Sequence, residues 1–478
     1  MGLDILTIAA YFIAIGAVGW AGVRKATTRE DYLVAGRNLG PGLYLGTLSA
    51  VVLGGASTIG TVKLGYEHGI SAVWLCVSLG AGIMLLSTLL AGPLLKLKLY
   101  TVSQVFARRF HPATRVVCAA IMLVYDLLVA VTSVIAIGSV IAVMFGLPFS
   151  AAVLIGGGIV VLYSTLGGMW SLTLTDIIQF IIMTVGIMFV LLPGSIGKAG
   201  GWESLSAHLP AGYFSLTGIG WQTILLFFMI YFFGILIGQD IWQRVFTARS
   251  SRVARYAGLG AGVYCIIYGA CGALIGMAGK LLIPKMTNSD GAFAAIASAV
   301  LPEGLSGLLA AAALAALMST ASACLLASST ITLEDILPSV LRRAQTGLRA
   351  SRLVTLLMGV AMLLLALLVR DVLAALTIAY NLLVGGLLVP LAGAIFFRRA
   401  TSAGAICGMA AGSLTAVGFM AVEGLDGISP IYGGLLASAC AFMLVSLLTP
   451  AQKCAPPLSL TPDAPEDQKV MSTSSVSL

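Results

Sequence analysis

The amino-acid sequence predicts an all-α polytopic membrane protein of about thirteen transmembrane helices. Three observations carry that expectation. Only 9% of the 478 residues are charged, against about 25% in soluble domains. The apolar residues, 59% of the chain, gather into continuous runs that match a hydrocarbon core of about 30 Å, not the short alternating segments of a barrel. Basic residues sort between the connections: 21 of the 26 lysines and arginines fall in alternate turns or the tail, as the positive-inside rule requires. Water-soluble, secreted and nucleic-acid-binding classes are excluded together. The net charge of +8 then reports topology rather than a polyanionic partner.

Taken in order, the first run, 3–23, is followed by Arg24 and Lys25 rather than preceded by a basic segment. It reads as a span and not as a signal peptide. The second, 41–64, contains Leu53-Gly54-Gly55-Ala56-Ser57-Thr58-Ile59-Gly60-Thr61. Glycine weakens a helix by about 1 kcal/mol against alanine, and an open ladder in lipid strands carbonyls at a cost of several kcal/mol each. Such a stretch either breaks the helix where the freed carbonyls line a cavity or hold a cation, or serves as a small-residue packing stripe. Lys63, near the outer end of this run, could snorkel, pair with Asp126 or face a substrate.

Runs 71–95, 114–145, 150–169 and 173–194 follow. Asp126 lies well inside the fourth run, where a charge costs at least about 2.5 kcal/mol and marks a functional hypothesis by default. Asp176 begins the sixth, so an N-cap role competes with a functional one. Run 220–239 carries Gly234 and Gly238. Run 256–281 precedes 305–333, in which Ala316, Ser319 and Thr320 stand at i, i+3 and i+4 and share a face. Their hydroxyls either converge on a ligand or bond back to their own helix.

Runs 352–369, 372–397, 402–422 and 430–449 complete the set. The sorting of basic residues places the N-terminus outside, and an odd number of spans then leaves the C-terminus in the cytoplasm. The outer loops 195–219 and 282–304 are long enough for short surface helices. Residues 450–478, rich in Pro, Ser and Thr, read as a disordered cytoplasmic tail. The eight cysteines form no C-x-x-C or Cys/His cluster and read as small buried hydrophobes. The three histidines fall in or beside loops. No H-E-x-x-H or Gly-x-Ser-x-Gly motif appears at membrane depth, so an enzyme is not expected.

Several of these segments together resemble the sodium:solute symporter family, which includes sodium-coupled sugar, proline, sialic acid and pantothenate transporters. They are the stretch Gly55-Ala56-Ser57-Thr58-Ile59-Gly60, Ala316-x-x-Ser319-Thr320, and Gly167-Gly168…Thr175-Asp176-x2-Gln179. Asp31-Tyr32-Leu33-Val34-Ala35-Gly36-Arg37, Gln239-Asp240-Ile241-Trp242-Gln243-Arg244, and Tyr380-Asn381…Pro390 ahead of Arg398-Arg399 complete the match. The resemblance implies a LeuT-like fold of two inverted five-helix repeats, about 41–194 and 220–397, each opening with a broken helix. The second break would fall near Gly234–Gln239. Helices 3–23, 402–422 and 430–449 would be peripheral within one transporter domain, 1–449.

The resemblance further implies a sodium ion held by the carbonyls of Ala56, Ile59 and Ala316 and the hydroxyls of Ser319 and Thr320. A second sodium at Asp176 and Ser322 would lack one ligand, because position 323 is Ala. Substrate contacts are implied at Thr58, Lys63 and Gln239, and Asp126 joins them if the ligand is zwitterionic. The expected activity is sodium-coupled import of a small organic solute, carboxylate or amino-acid-like, across the plasma (inner) membrane. A proton-coupled carrier of the same fold and a transporter-like sensor are the alternatives. The oligomeric state is not legible, and no nucleic-acid partner is expected.

Overall fold

A computed structural model describes residues 2–450 apart from 287–288, 303, 342–346, 370–371 and 426. The expected tail beyond Pro450 lies outside the described residues. Among those described, the chain is helical with no strand, and Leu39 and Ala248 form an isolated bridge.

Among the described residues, ten helices are long and apolar enough to cross a bilayer, and a bent pair, Trp221–Ile237 with Gln239–Val245, makes eleven. Two of them, Ala56–Lys96 and Phe149–Lys198, run 41 and 50 residues. At 1.5 Å per residue they would reach about 60 and 75 Å, at least twice the hydrocarbon thickness. Each is divided by a glycine in left-handed backbone, Gly69 at φ 71° and Gly168 at φ 52°. Counted on both sides of those glycines, the spans among the described residues number thirteen by length and composition, the number of apolar runs in the sequence.

The first span is α1 (Gly2–Lys25), followed by a short helix α2 (Arg29–Val34). A capping box between Thr28 and Asp31 starts α2. Its Tyr32 hydroxyl lies 3.1 and 3.0 Å from the Ser164 and Thr165 carbonyls and 2.9 Å from the Thr355 hydroxyl. The Tyr32 ring and backbone fill the space that a side chain at Gly168 would need. This loop therefore wedges the corner between the two halves of its neighbour.

The next elements are α3 (Pro41–Val52), α4 (Thr61–His68), α5 (Val73–Leu85), α6 (Ser103–Arg109), α7 (Pro112–Phe145) and α8 (Phe149–Met183). The bent pair supplies α9 (Trp221–Ile237) and α10 (Gln239–Val245), which meet at 49°. They are followed by α11 (Ser251–Leu282), α12 (Leu305–Ile331), α13 (Leu348–Leu368), α14 (Val372–Phe396), α15 (Ser402–Glu423) and α16 (Ser429–Leu448). Short helices Gly201–His208 and Ala292–Val300 occupy the two long loops.

The span that begins with α12 is the axle of the bundle. Its most apolar window is 83% buried, against 28% for α1 and α16 and 33% for α15. A helix apolar all round belongs in the centre, and the alanines between Ala310 and Ala327 let neighbouring backbones approach it. It packs against α1, α3, α7, α8 and α13.

Candidate cation and substrate site

The glycine-rich stretch is a real interruption. Leu53, at φ −87° and ψ 58°, ends α3, and a widened turn at Ala56–Gly60 leads into α4. The carbonyls this frees are met by the hydroxyls that the sequence places there. Ser57 Oγ lies 3.2 Å from Val52 O and 3.1 Å from Gly54 O. Thr58 Oγ1 lies 3.4 Å from Leu53 O and 3.2 Å from the Tyr268 hydroxyl on α11. From the facing helix, Thr320 Oγ1 reaches Val51 O at 3.1 Å. A side chain at Gly54 would collide with Thr320, and one at Gly55 with Leu317. Close approach of α12 therefore explains both glycines. Although it sits amid the bundle, Ala56 is exposed and Ile59, Gly60 and Lys63 are half-buried, so the break borders an open space.

The face at 316, 319 and 320 meets that break. Thr320 Oγ1 is also 3.3 Å from Ala316 O, so one hydroxyl sits between carbonyls of α3 and α12. Ser319 Oγ turns the other way and donates to Asp176 Oδ1 at 2.9 Å. Asp176 is fully buried within α8. Its other oxygen accepts from the Thr47 hydroxyl of α3 and lies 3.4 Å from Nη2 of the fully buried Arg244. This overturns the N-cap alternative for Asp176. It also corrects the count of cytoplasmic charges, because Arg244 is an interior residue and reports no topology.

Other expected site residues separate. Ser322 Oγ bonds back to Ser319 O at 3.0 Å, so its hydroxyl is turned to its own helix while Arg244 stands beside Asp176. The Gln239 amide is used at both ends on the connection between the 56–96 span and α6. It accepts from the Val102 N–H at 2.8 Å and donates to Tyr100 O at 2.9 Å. That is a fastening at the second break, not a group joined to Thr58 and Lys63. Asp126 is fully buried, and neither carboxylate oxygen has a hydrogen-bond partner among the described residues. It does not bond Lys63 in this conformation.

The second break is held by its own motif. The backbone leaves the helix at Gly238, with φ −63° and ψ 130°, and the Trp242 indole donates to the freed Leu236 carbonyl at 2.8 Å. Gln243 ties α10 to Leu33 O at 2.8 Å and to the Thr330 hydroxyl at 2.9 Å. Sequence reasoning missed Thr47, Arg244 and Tyr268 as members of the first site. Arg244 alone carried a signal: it lies six residues past Gly238, still inside the Gln239–Arg244 motif.

Chemically, the break and the α12 face offer neutral carbonyl and hydroxyl oxygens, with one carboxylate behind Ser319. Such a set suits a hard monovalent cation. Among the described residues, no group of three or more His, Cys, Asp or Glu could hold a metal ion. Two interrupted helices with oxygens at mid-bundle define a secondary transporter of the broken-helix class.

Comparison with known proteins agrees. The chain matches the sodium:solute symporter family model over residues 32–412. It is 26% identical over 472 residues to the sodium/pantothenate symporter of Escherichia coli (strain K12), covering 92% of this chain and 95% of that one. It is 25% identical over 483 residues to the sodium/proline symporter of Staphylococcus aureus (strain JH9), covering 93% and 92%. Its fold superposes on a sodium-coupled sialic acid symporter with a TM-score of 0.83, at 19% identity and covering 95% and 99% of the two chains. A nucleobase-cation-symport-1 family transporter shares the fold more distantly, with a TM-score of 0.53 at 15% identity, covering 88% and 96%. The chain belongs to the sodium:solute symporter family, a multi-pass membrane protein with the two inverted five-helix repeats of that fold.

Proposed function

We propose that this protein is a sodium-coupled symporter that imports a small organic solute, carboxylate or amino-acid-like, by alternating access. The supporting observation is the placement of the Thr320 hydroxyl between Val51 O and Ala316 O, next to an exposed Ala56. Sodium is held by the carbonyls of Ala56, Ile59 and Ala316 and the hydroxyls of Ser319 and Thr320. A bound cation at that seam fastens α12 to the broken helix, and its loss on the low-sodium side lets the two separate. One charge moved through 100 mV supplies about 2.3 kcal/mol, and a tenfold gradient adds about 1.4 kcal/mol. A single ion therefore supports accumulation of several hundredfold.

The solute lies beyond the cation along α4, with Thr58 at one end and Lys63 toward the other. A lysine there suits an anionic group, and pantothenate, proline and sialic acid, the solutes named for the similar proteins, all carry a carboxylate. The chain acts as one unit, 1–449, in the plasma membrane, with the N-terminus outside and the basic end in the cytoplasm. Arg244 occupies the Asp176 side of the proposed second ion site, so we assign one sodium at this seam. A thermal-shift screen of purified protein against amino acids, organic acids, sugars and vitamins, in sodium and in potassium, tests the reading. A carboxylate that stabilises only in sodium is expected; equal stabilisation in both salts would contradict sodium coupling.

A further inference from the structure

We propose that an anionic phospholipid docks in a groove between α3 and α8, with its phosphate held by Arg249. Glycines make the groove. Gly40, Gly42 and Gly46 open the first turns of α3, and Ile177, Phe180 and Ile181 of α8 form the facing wall. The space measures about 510 Å³, within the roughly 300–1,000 Å³ of small-molecule sites. A side chain at Gly42 would meet nothing within 4 Å, whereas one at Gly46 would run into Ile177. The groove is therefore open at Gly42 and narrows toward Gly46. Beyond it, Phe180 packs on Tyr264 of α11 with ring centroids 4.7 Å apart, and the Thr184 and Tyr264 hydroxyls meet at 2.6 Å.

Arg249 stands at the mouth. Leu39 and Ala248 form the isolated bridge, and the Arg249 N–H donates to Leu39 O at 3.1 Å. That backbone contact sets the guanidinium beside Gly40: Nη1 lies 3.9 Å from where a side chain at Gly40 would begin. Arg249 is exposed, and no ion pair engages it among the described residues.

The outer face of α11 sets the depth. Arg252, Tyr256, Val263 and Ile267 recur at helical spacing and are all exposed. That face passes from charge through an aromatic ring to aliphatic surface, the order of environments from headgroup to hydrocarbon. Arg249 precedes it and so stands at headgroup level. A side chain at Gly260 would come within 3.0 Å of Leu45, which puts the first turns of α3 just inside the hydrocarbon edge. On the α8 side, Ile181, Val185 and Phe189 are exposed and apolar.

These features select the occupant. The floor from Gly40 to Gly46 is about 9 Å long, which admits an acyl chain but not a helix of about 10–12 Å across. An arginine gives a phosphate a bidentate, charge-assisted partner, and basic pockets between helices at this level recognise anionic headgroups. A zwitterionic headgroup brings its own ammonium and gains less from Arg249. The next residue after Gly46 is Thr47, whose hydroxyl donates to Asp176, the neighbour of Ile177. A docked chain therefore braces the α3–α8 contact that carries Asp176.

Thermal unfolding of the purified full-length protein, in detergent and potassium chloride without solute, tests this. Phosphatidylglycerol and phosphatidylcholine with the same acyl chains are titrated, and inorganic phosphate serves as the anion without chains. A saturable rise in unfolding temperature is expected with phosphatidylglycerol, at concentrations at least about tenfold below those that phosphatidylcholine requires. Arg249→Gln should erase that preference, and Gly42→Trp, which fills the groove, should remove the response to both lipids. Arg398→Gln, which removes an exposed arginine from another turn, should leave the response intact. An equal response of the wild type to the two lipids would overturn the inference. So would a preference that persists in Arg249→Gln or is lost equally in Arg398→Gln, stabilisation by inorganic phosphate alone, or a wild-type response in Gly42→Trp. Arg249→Gln alters only an exposed side chain, so it decides the question even if the tryptophan variant folds poorly. Because the titration needs neither sodium nor solute, its outcome stands apart from that of the sodium-symport reading.

Discussion

Arg244 and Asp176 are both fully buried and held as an ion pair between α8 and α10. Removing one member of a buried pair strands the other, typically at about 3–5 kcal/mol. Arg244→Gln should therefore lower the unfolding temperature sharply. Asp176→Asn added to it should restore much of the stability without restoring the sodium response, because Ser319 loses its carboxylate acceptor. Equal unfolding temperatures for wild type and Arg244→Gln would show that the pair has no structural role. At the other end of the break, Lys63→Gln removes a charge-assisted contact worth about 1.5–3 kcal/mol. The dissociation constant of the ligand found by thermal shift should rise about ten- to a hundredfold, with sodium affinity unchanged. Unchanged ligand affinity would exclude Lys63 from the solute. Asp126 was legible in the sequence as an anomaly, whereas its full burial without a hydrogen-bond partner among the described residues was not.

Among the elements, the two broken helices show where sequence pattern suffices and where it stops. The first break was legible as one of two readings of its glycines and hydroxyls, the other being a packing stripe, and the second only through the family resemblance, with glycines at 234 and 238. The roles within them were not. Gly54 and Gly55 admit Thr320 and Leu317, whereas a side chain at Gly60 would meet nothing within 4 Å. Gly60→Ala should accordingly be tolerated, and Gly54→Ala should weaken sodium-dependent stabilisation. A second contact shows the same logic at a helix crossing. A side chain at Gly276 of α11 would run into the backbone of Val62 and Tyr66 on α4, and one at Gly65 into the Ala273 backbone. Backbone cannot swing aside as a side chain can, so Gly276→Val should cost at least the roughly 1–3 kcal/mol of ordinary overpacking. Thermal unfolding of the three variants checks the order: Gly60→Ala near wild type, Gly276→Val well below it. Gln239 stands at the second break, and the partners of its amide belong to a loop more than a hundred residues away.

For the whole molecule, the end of the bundle that collects arginines is fastened by a connected set of contacts. Arg29 pairs with Glu334, and Arg115 with Asp335 at 2.6 Å. Thr101 lies 3.2 Å from the same Asp335 oxygen. Arg37 donates to Leu99 O at 2.9 Å and stacks over Tyr100, and the Gln239 amide closes on the same loop. These contacts join α2, α7, α10 and the turn after α12, so this end is shut while the break around Ala56 is accessible. Exposed ion pairs contribute little, but these acids are buried and each bridges two elements. Glu334→Gln combined with Asp335→Asn should favour opening at this end. In a variant whose only cysteine is the buried Cys324, maleimide labelling should then accelerate severalfold; an unchanged rate would mean that the network is not the fastening. The positive charge of this end was legible as topology, whereas Glu334 and Asp335, at the end of an apolar run, gave no sign that they would receive it.

The central claim, that this chain binds sodium where α12 meets the first break, is tested most directly by equilibrium binding of radioactive sodium to the purified protein, which requires no knowledge of the solute. Saturable binding is expected for the wild type, with the dissociation constant raised at least about tenfold, or about 1.4 kcal/mol, in Ser319→Ala/Thr320→Ala. Saturable binding of equal affinity in both proteins would contradict the assignment of Ser319 and Thr320, and absence of saturable binding in the wild type would contradict sodium coupling itself.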